Sequence, residues 1–449
     1  MADKQEGFPA GPLRVSKRNP RYFEDAQGRV LFLTGSHTAC DMNDESQKDP
    51  PEAFDYSAFL DFLQRNHHNL IRLWTCHQPK HSWSPPTLVF YDSPVPWQRT
   101  GPGNALDGKP KFDLTKFNPE YFTRLRERVI AAGRRGMYVS VMLFEGDALH
   151  YASKPWCWDG HPFNASNNVN GLDGDPGRTG RGLKLLSLDI PAVTSYQEAY
   201  VRKVIDTVGD LDNILYEIAN ESGRGSLRWQ EHMIRFVHDC EAGRDKQHPV
   251  GMTFAFGMPD IGGSCTNEEM FQSAAEWISP GAAPEPYVTD PPAADGRKVL
   301  IPDTDHLAER TPENTLLWVW KSFCRGMNML FMDDECLTPA DPWRDAVRRE
   351  MGACRKYAER MDLAEAVPCN DVASTKYCLS DKKSHFLVFL PQGPAVEVAL
   401  TNAPGVFNVE WRNVKTGEAA PGGPINGGEK VQLTSPFAGP SVLYLWKKQ

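Results

Sequence analysis

No stretch of this 449-residue chain approaches the roughly 20 consecutive apolar residues that cross a bilayer, which argues against a helical membrane protein. Its opening, MADKQEGFPAGPL, lacks the apolar core of a secretory leader. The chain is therefore expected to be cytoplasmic, or to be secreted or periplasmic with its leader already removed. Positive charge is not in excess: 49 Lys and Arg face 58 Asp and Glu, a net charge of −9. Phosphate binding needs a basic surface, so neither nucleic acid nor an anionic membrane is the expected partner. The 10 cysteines include no CxxC pair and no Cys/His cluster at zinc spacing. Most are expected to be free thiols packed as small hydrophobes, with Cys369 and Cys378, which flank one short segment, the first pair to suspect of bonding. GxGxxG, GxSxG and HExxH are also missing, which argues against a dinucleotide fold, a serine-elbow esterase and a zinc peptidase. No metal or organic cofactor is expected. No internal repeat is visible.

What is present is alternation. Forty per cent of residues are hydrophobic and 24% charged, ordinary values for a folded chain with a large core. Eight apolar runs recur: VLFLTGSH (30–37), NLIRLW (69–74), GMYVSVMLFEG (136–146), NILYEIANE (213–221), PVGMTFAFG (249–257), AEWISPG (275–281), KVLIPDTDH (298–306) and MNMLFMDDE (327–335). Amphipathic helical patterns separate most of them, at 56–66, 119–136, 195–210, 226–244, 311–326 and 342–361, with a short one near 267–275. Ser195, with Glu198 three residues on, is the expected cap of the third, and Thr311-Pro312 opens the fifth. Eight strands alternating with helices over residues 1–361 predict an α/β fold, a (β/α)8 TIM barrel, with an open doubly wound sheet as runner-up. Residues 362–449 change texture. Short alternating runs separated by PQGP, NAPG and NGGE predict a small antiparallel β-sandwich.

In such a barrel the C-terminal ends of the strands make the reactive face. Those ends supply His37, Arg72, Trp74, Glu145, Asn220, Glu221, Asp303, Asp305 and His306, followed by Asp333, Asp334 and Glu335. A rim chosen for solubility alone would favour lysine and glutamate over an indole and imidazoles. Glycoside hydrolysis requires two carboxyl groups, one protonated and one ionised. Glu221 and Asp303, from different strands, fit that need. The long segment after the third run (146–182) adds Trp156, Trp158 and Asn168 as a candidate sugar-binding wall, and the segment after the second adds His77, His81, Trp83 and Trp97.

YEIANES resembles the Asn-Glu signature of the large (β/α)8 glycoside hydrolase clan that includes cellulases and β-galactosidases, and NLIRLW resembles the segment carrying that clan's arginine. With its trailing β-region the chain is similar to the apiosidase-like branch. The resemblance implies Glu221 as acid/base and the seventh-strand carboxylate as nucleophile, acting on a plant or microbial carbohydrate. Arg72 and His306 would then hold Asp303 ionised, with Trp74, Trp156 and Trp158 as sugar platforms. One departure stands out: Asp303 occupies the place where the clan has glutamate. Its side chain is shorter by one methylene, roughly 1.5 Å. Retention needs carboxyl groups about 5–5.5 Å apart, and inversion about 6.5–9.5 Å. Two alternatives remain: an inverting enzyme, or a carbohydrate-binding protein on a barrel that has lost its chemistry. Oligomeric state, sugar and linkage are not readable.

Overall fold

The computed structural model describes residues 8–39, 41–82, 88–146, 155–257, 259–282, 285–307, 311–333, 336–337 and 341–447, the side chains of 155 and 156 excepted. A strand lies in each of the eight predicted runs: β1 (Thr34–His37), β2 (Leu70–Leu73), β3 (Tyr138–Glu145), β4 (Ile214–Asn220), β5 (Val250–Thr253), β6 (Trp277–Ser279), β7 (Val299–Leu300) and β8 (Met329–Met332). The chain divides into two compact units. The first is mainly His37–Leu60 and Ile71–Ser279; the second is mainly Arg14–Ser36, Asp61–Leu70 and Pro280–Gln449.

The first unit is an α/β body on a parallel sheet. Its strand order is β2-β3-β4-β5-β6, with parallel pairing from β3 to β6. Every residue of β3 and β4 is buried, the pattern of strands covered on both faces. Helices α1 (Tyr56–Arg65), α2 (Pro119–Gly133), α3 (Pro191–Val208) and α4 (Leu227–Glu241) follow the predicted helical patterns. Helix α3 starts four residues earlier than expected. Pro191 takes its first turn, where a missing N–H costs nothing, and Ser195 lies inside the helix with its hydroxyl donating to the Pro191 carbonyl. The segment after β2 holds a hairpin of Trp97–Asn104 and Pro110–Phe117, and its strands Phe90–Ser93 and Lys80–His81 form a three-stranded sheet with Asp44–Ser46, which precedes β2.

In the second unit β8 pairs with β1, so the last of the eight strands lies beside the first. Leu33 N–H donates to Asn328 Oδ1 at 2.8 Å, and Met329 N–H donates to the Leu33 carbonyl at 3.1 Å. A Cβ on Gly35 would lie 1.8 Å from the Leu70 carbonyl oxygen, so only glycine lets the two segments pass. Helices α5 (Pro312–Cys324) and α6 (Pro342–Arg360) follow, and the expected Thr311 cap accepts from Asn314 N–H. Beyond them lie β9 (Val367–Pro368), β10 (Cys378–Ser380), β11 (His385–Leu390), β12 (Ala395–Ala399), β13 (Gly405–Asn413), β14 (Ala419–Gly427), β15 (Lys430–Thr434) and β16 (Ser441–Lys447). Six form a sheet in the order β9-β10-β11-β16-β13-β14, and β12 pairs with β15. Residues of both sheets share one apolar core around Phe386, Val396, Phe407, Trp411 and Leu443. Arg412 on β13 forks onto Glu350 of α6 at 2.7 and 2.9 Å, fixing this region to the helix.

The cysteine expectation needs correction. Cys369 and Cys378 are both free, packed into that apolar core, whereas Cys76 is disulfide-bonded. Spacing along the chain was the wrong guide, because both thiols are used as core filler. Among the described residues no helix is long and apolar enough to cross a membrane.

Candidate active site

Strand β2 delivers Arg72, and strand β4 delivers Glu217 and Asn220. The two strands are separated in the sheet by β3, so the side chains meet across its face. Arg72 and Glu217 are each 1% exposed. Arg72 Nε donates to Glu217 Oε2 at 2.9 Å and Nη2 to Oε1 at 2.5 Å, a two-point contact that fixes both planes. Thr253 on β5 donates its hydroxyl to Glu217 Oε1 at 2.7 Å. Arg72 Nη2 also donates to Asn220 Oδ1 at 2.8 Å, and Asn220 Nδ2 reaches both oxygens of Glu145, at 3.2 and 3.3 Å. The amide is thereby held from both ends, with its oxygen on the guanidinium and its nitrogen on the carboxylate.

Glu221 follows at once. It is half-buried and has φ +39°, the left-handed region that a residue with a side chain rarely adopts. Its neighbours impose this conformation. Gly146 N–H donates to the Asn220 carbonyl at 3.0 Å, and a Cβ on Gly146 would lie 2.6 Å from the Glu221 carbonyl oxygen. On the other side Gln230 and Ser226 hold the Ser222 hydroxyl at 2.7 and 2.9 Å, and Gly223 N–H donates to the Phe256 carbonyl. A conformation costing on the order of 1–3 kcal/mol survives only where the surroundings over-determine it, and such positions cluster at functional sites.

Around this clamp, Trp74 is buried between the Arg72 guanidinium, 4.8 Å from its ring centroid, and the His37 ring at 5.9 Å. Asp41 Oδ1 accepts Trp74 N–H at 2.5 Å. Burial raises the Asp41 carboxyl to about 7 despite that bond and the nearby His37 and Arg128 charges.

A model for a domain of unknown function, DUF6298, matches residues 54–260, less than half of the chain. No curated protein matches. Among solved structures, a glycoside hydrolase of family 5 from Bacteroides vulgatus ATCC 8482 superposes with a TM-score of 0.64 at 12% identity, covering 97% of this chain and 93% of its own. A second, described as a glycoside hydrolase, gives 0.63 at 12% identity with 98% and 97% covered. The chain shares the fold of these two glycoside hydrolases.

On this fold the residues expected from sequence separate into three groups. Arg72, Glu145, Asn220 and Glu221 come together in the first unit as described, with His37 and Trp74 against them. Trp74 and Trp158 need correction as sugar platforms. Trp74 is 2% exposed and Trp158 5%, the latter stacked on His161 at 5.6 Å, so both rings serve packing. Asn168 is likewise turned inward. Its Nδ2 donates to the carbonyls of Pro162, Asn164 and Leu172 and its Oδ1 accepts Leu172 N–H, which knits the loop together. The Trp156 side chain, Trp83, Asp334 and Glu335 lie outside the described residues.

The second unit holds the remaining group. Asp303 is buried and caps the short turn Thr304–His306, its Oδ1 accepting Asp305 N–H at 3.0 Å. His306 Nε2 lies 3.5 Å from Asp305 Oδ2. Asp333, placed by sequence at the end of the eighth strand, is buried and held by Arg348 at 2.6 and 2.7 Å. Glu217, Asp41 and Thr253 were not singled out from sequence. A detectable signal existed for the first: Arg72 and Glu217 are opposite charges set inside apolar strand runs, and each needs a partner there.

Proposed function

We propose that the chain is a glycoside hydrolase that cleaves an O-glycosidic bond of a plant or microbial carbohydrate, with Glu221 as acid/base and Asp303 as the second carboxylate. The observation that carries this reading is the strained, half-buried Glu221 set directly after an Asn220 immobilised by Arg72 and Glu145. In the proposed reaction Glu221 protonates the leaving oxygen and then takes a proton from water, while Asn220 holds a sugar hydroxyl beside the reacting carbon. Asp303 attacks the anomeric carbon in a retaining cycle or activates water in an inverting one. Membership of the apiosidase-like branch, a closed eight-stranded barrel and a sandwich-type C-terminal region belong to the same proposal. They rest on the strand order, the β8–β1 pairing and the two sheets around one apolar core.

The test is a screen of aryl glycosides and plant polysaccharides with wild type, Glu221→Gln and Asp303→Asn, following the product anomer by NMR. Turnover reduced at least about 10³-fold in folded Glu221→Gln supports the reading. Turnover unchanged in Glu221→Gln refutes it. A second reading, a carbohydrate-binding protein without chemistry, is favoured by the use of Asp303 as a turn cap. Saturable sugar binding without turnover, equal in wild type and Asp303→Asn, would select it.

A further inference from the structure

Three short strands, one before β2 and two after it, carry a cluster that the proposed glycosidase reaction leaves unused. Asp44–Ser46 pairs antiparallel with Phe90–Ser93, and in that register Glu45 stands directly opposite Asp92. Two carboxylates facing each other across a strand pair repel, unless a cation lies between them. His81, on the third strand, brings Nε2 to 2.8 Å from Glu45 Oε2 and 2.8 Å from Asp92 Oδ2. One N–H between two oxygens is shared as a three-centre bond, weaker to each than a direct one. Asp92 is itself 3% exposed, so its carboxylate faces His81 away from bulk solvent. The sulfur of Cys76 completes the group: ligand atoms of Cys76, His81 and Asp92 all lie within 4.8 Å of one another, and all three residues are buried.

The second layer is in place as well. Asn43 Oδ1 accepts Cys76 N–H at 2.9 Å, and its Nδ2 donates to the carbonyls of Cys76 and Pro94, which ties the Cys76 segment to the strand carrying Asp92. Asp92 also lines a surface cleft of about 400 Å³ with Asp49, Pro79 and Lys109, which gives an approach from solvent.

We infer that Cys76, His81 and Asp92, with Glu45 beside them, form a site for a zinc-class divalent cation that opens when the Cys76 disulfide is reduced. A thiolate, an imidazole and a carboxylate are the donor set of a borderline-soft, four-coordinate ion. A dithiol reductant supplies two electrons and two protons. It leaves as its own disulfide, and both sulfurs of the Cys76 bond become thiols. The metal ion then takes the place of the thiol proton, which passes to solvent, and binds His81 through Nε2 with the ring proton on Nδ1, and its two charges offset Cys76 thiolate and Asp92. The bound ion would clasp three strands whose hydrogen bonding to one another is short.

The experiment is cobalt(II) titration of the full chain, oxidised and reduced, followed by absorbance and by elemental stoichiometry after gel filtration. The reduced wild type is expected to take up one equivalent, with a thiolate-to-cobalt charge-transfer band that zinc displaces. The oxidised chain should show no such band. Cys76→Ser should lose the band, and Asp92→Asn should weaken affinity about tenfold or more. A reduced, folded wild type that takes up no cobalt overturns the site, as does uptake that neither substitution alters. Equal uptake before and after reduction overturns the link to the disulfide. If either variant fails to fold, the comparison of oxidised with reduced wild type still decides.

Discussion

Replacing Glu217 is the most informative perturbation of the clamp. Both partners of the Arg72–Glu217 pair are 1% exposed, so solvent neither screens the pair nor rehydrates a lone guanidinium. Breaking a buried pair by removing one charge costs about 3–5 kcal/mol, against about 0–1 kcal/mol for an exposed pair. Glu217→Gln keeps an oxygen for Arg72 and Thr253 and should fall at the lower end, about 3 kcal/mol. Glu217→Ala leaves Thr253 and two guanidinium donors without their acceptor and should fall at the upper end. The double change Arg72→Met with Glu217→Leu removes both charges and restores filling, so much of the stability should return. Activity should not return with it, because Asn220 loses the donor that orients its oxygen. Urea denaturation followed by tryptophan fluorescence reads the first quantity, and turnover of the best aryl glycoside reads the second. A cost below about 1 kcal/mol for Glu217→Gln would show that the pair is hydrated and the reasoning wrong. Activity recovered along with stability in the double variant would show that the clamp does not position Asn220.

Glu221→Gly removes both the carboxylate and the side chain that makes φ +39° costly. It should leave urea stability unchanged or raised by up to about 1 kcal/mol while turnover is lost; a clear loss of stability would identify Glu221 as a structural ion-pair partner. Acid should destabilise the chain through histidines that burial keeps neutral: His77 and His161 are pushed down to about 3 and His68 to about 4, from 6.5. Because these three histidines bind more protons in the unfolded chain across that interval, the stability they contribute is full above about pH 6.5 and is lost as pH drops toward 4 and 3, with Asp41, raised to about 7, working in the opposite sense; denaturation midpoints that rise on acidification from about pH 5 to 3 would contradict this.

The strands and helices were legible because their signals are local. Apolar runs with turn residues at their ends gave all eight strand positions, and Thr311-Pro312 gave a helix start through its own cap. Strand β14 was not legible, since AAPGGPING reads as turn. It lies at the edge of its sheet, where Pro421 and Pro424 need no N–H for a further neighbour. Trp74, Trp158 and Asn168 were misjudged for a related reason. Sequence marks them as aromatic or amide in a loop or at a strand end, but whether such a side chain faces sugar or protein depends on what packs over it. The roles of Arg72 and Glu217 required a pairing 145 positions apart, which no local pattern encodes.

The same distinction explains why an apolar strand ends in Asn220 and Glu221. A soluble surface turn would accept any polar pair and would relax to ordinary backbone angles. Here the strand end is tied to β2 and β3 before Glu221 and to helix α4 and the Phe256 segment after it, and the residue left between them is not glycine. Glycine would satisfy that backbone at lower cost. Keeping a carboxylate there is therefore a stability sacrifice that the surrounding hydrogen bonds offset, as expected of the acid/base proposed for Glu221.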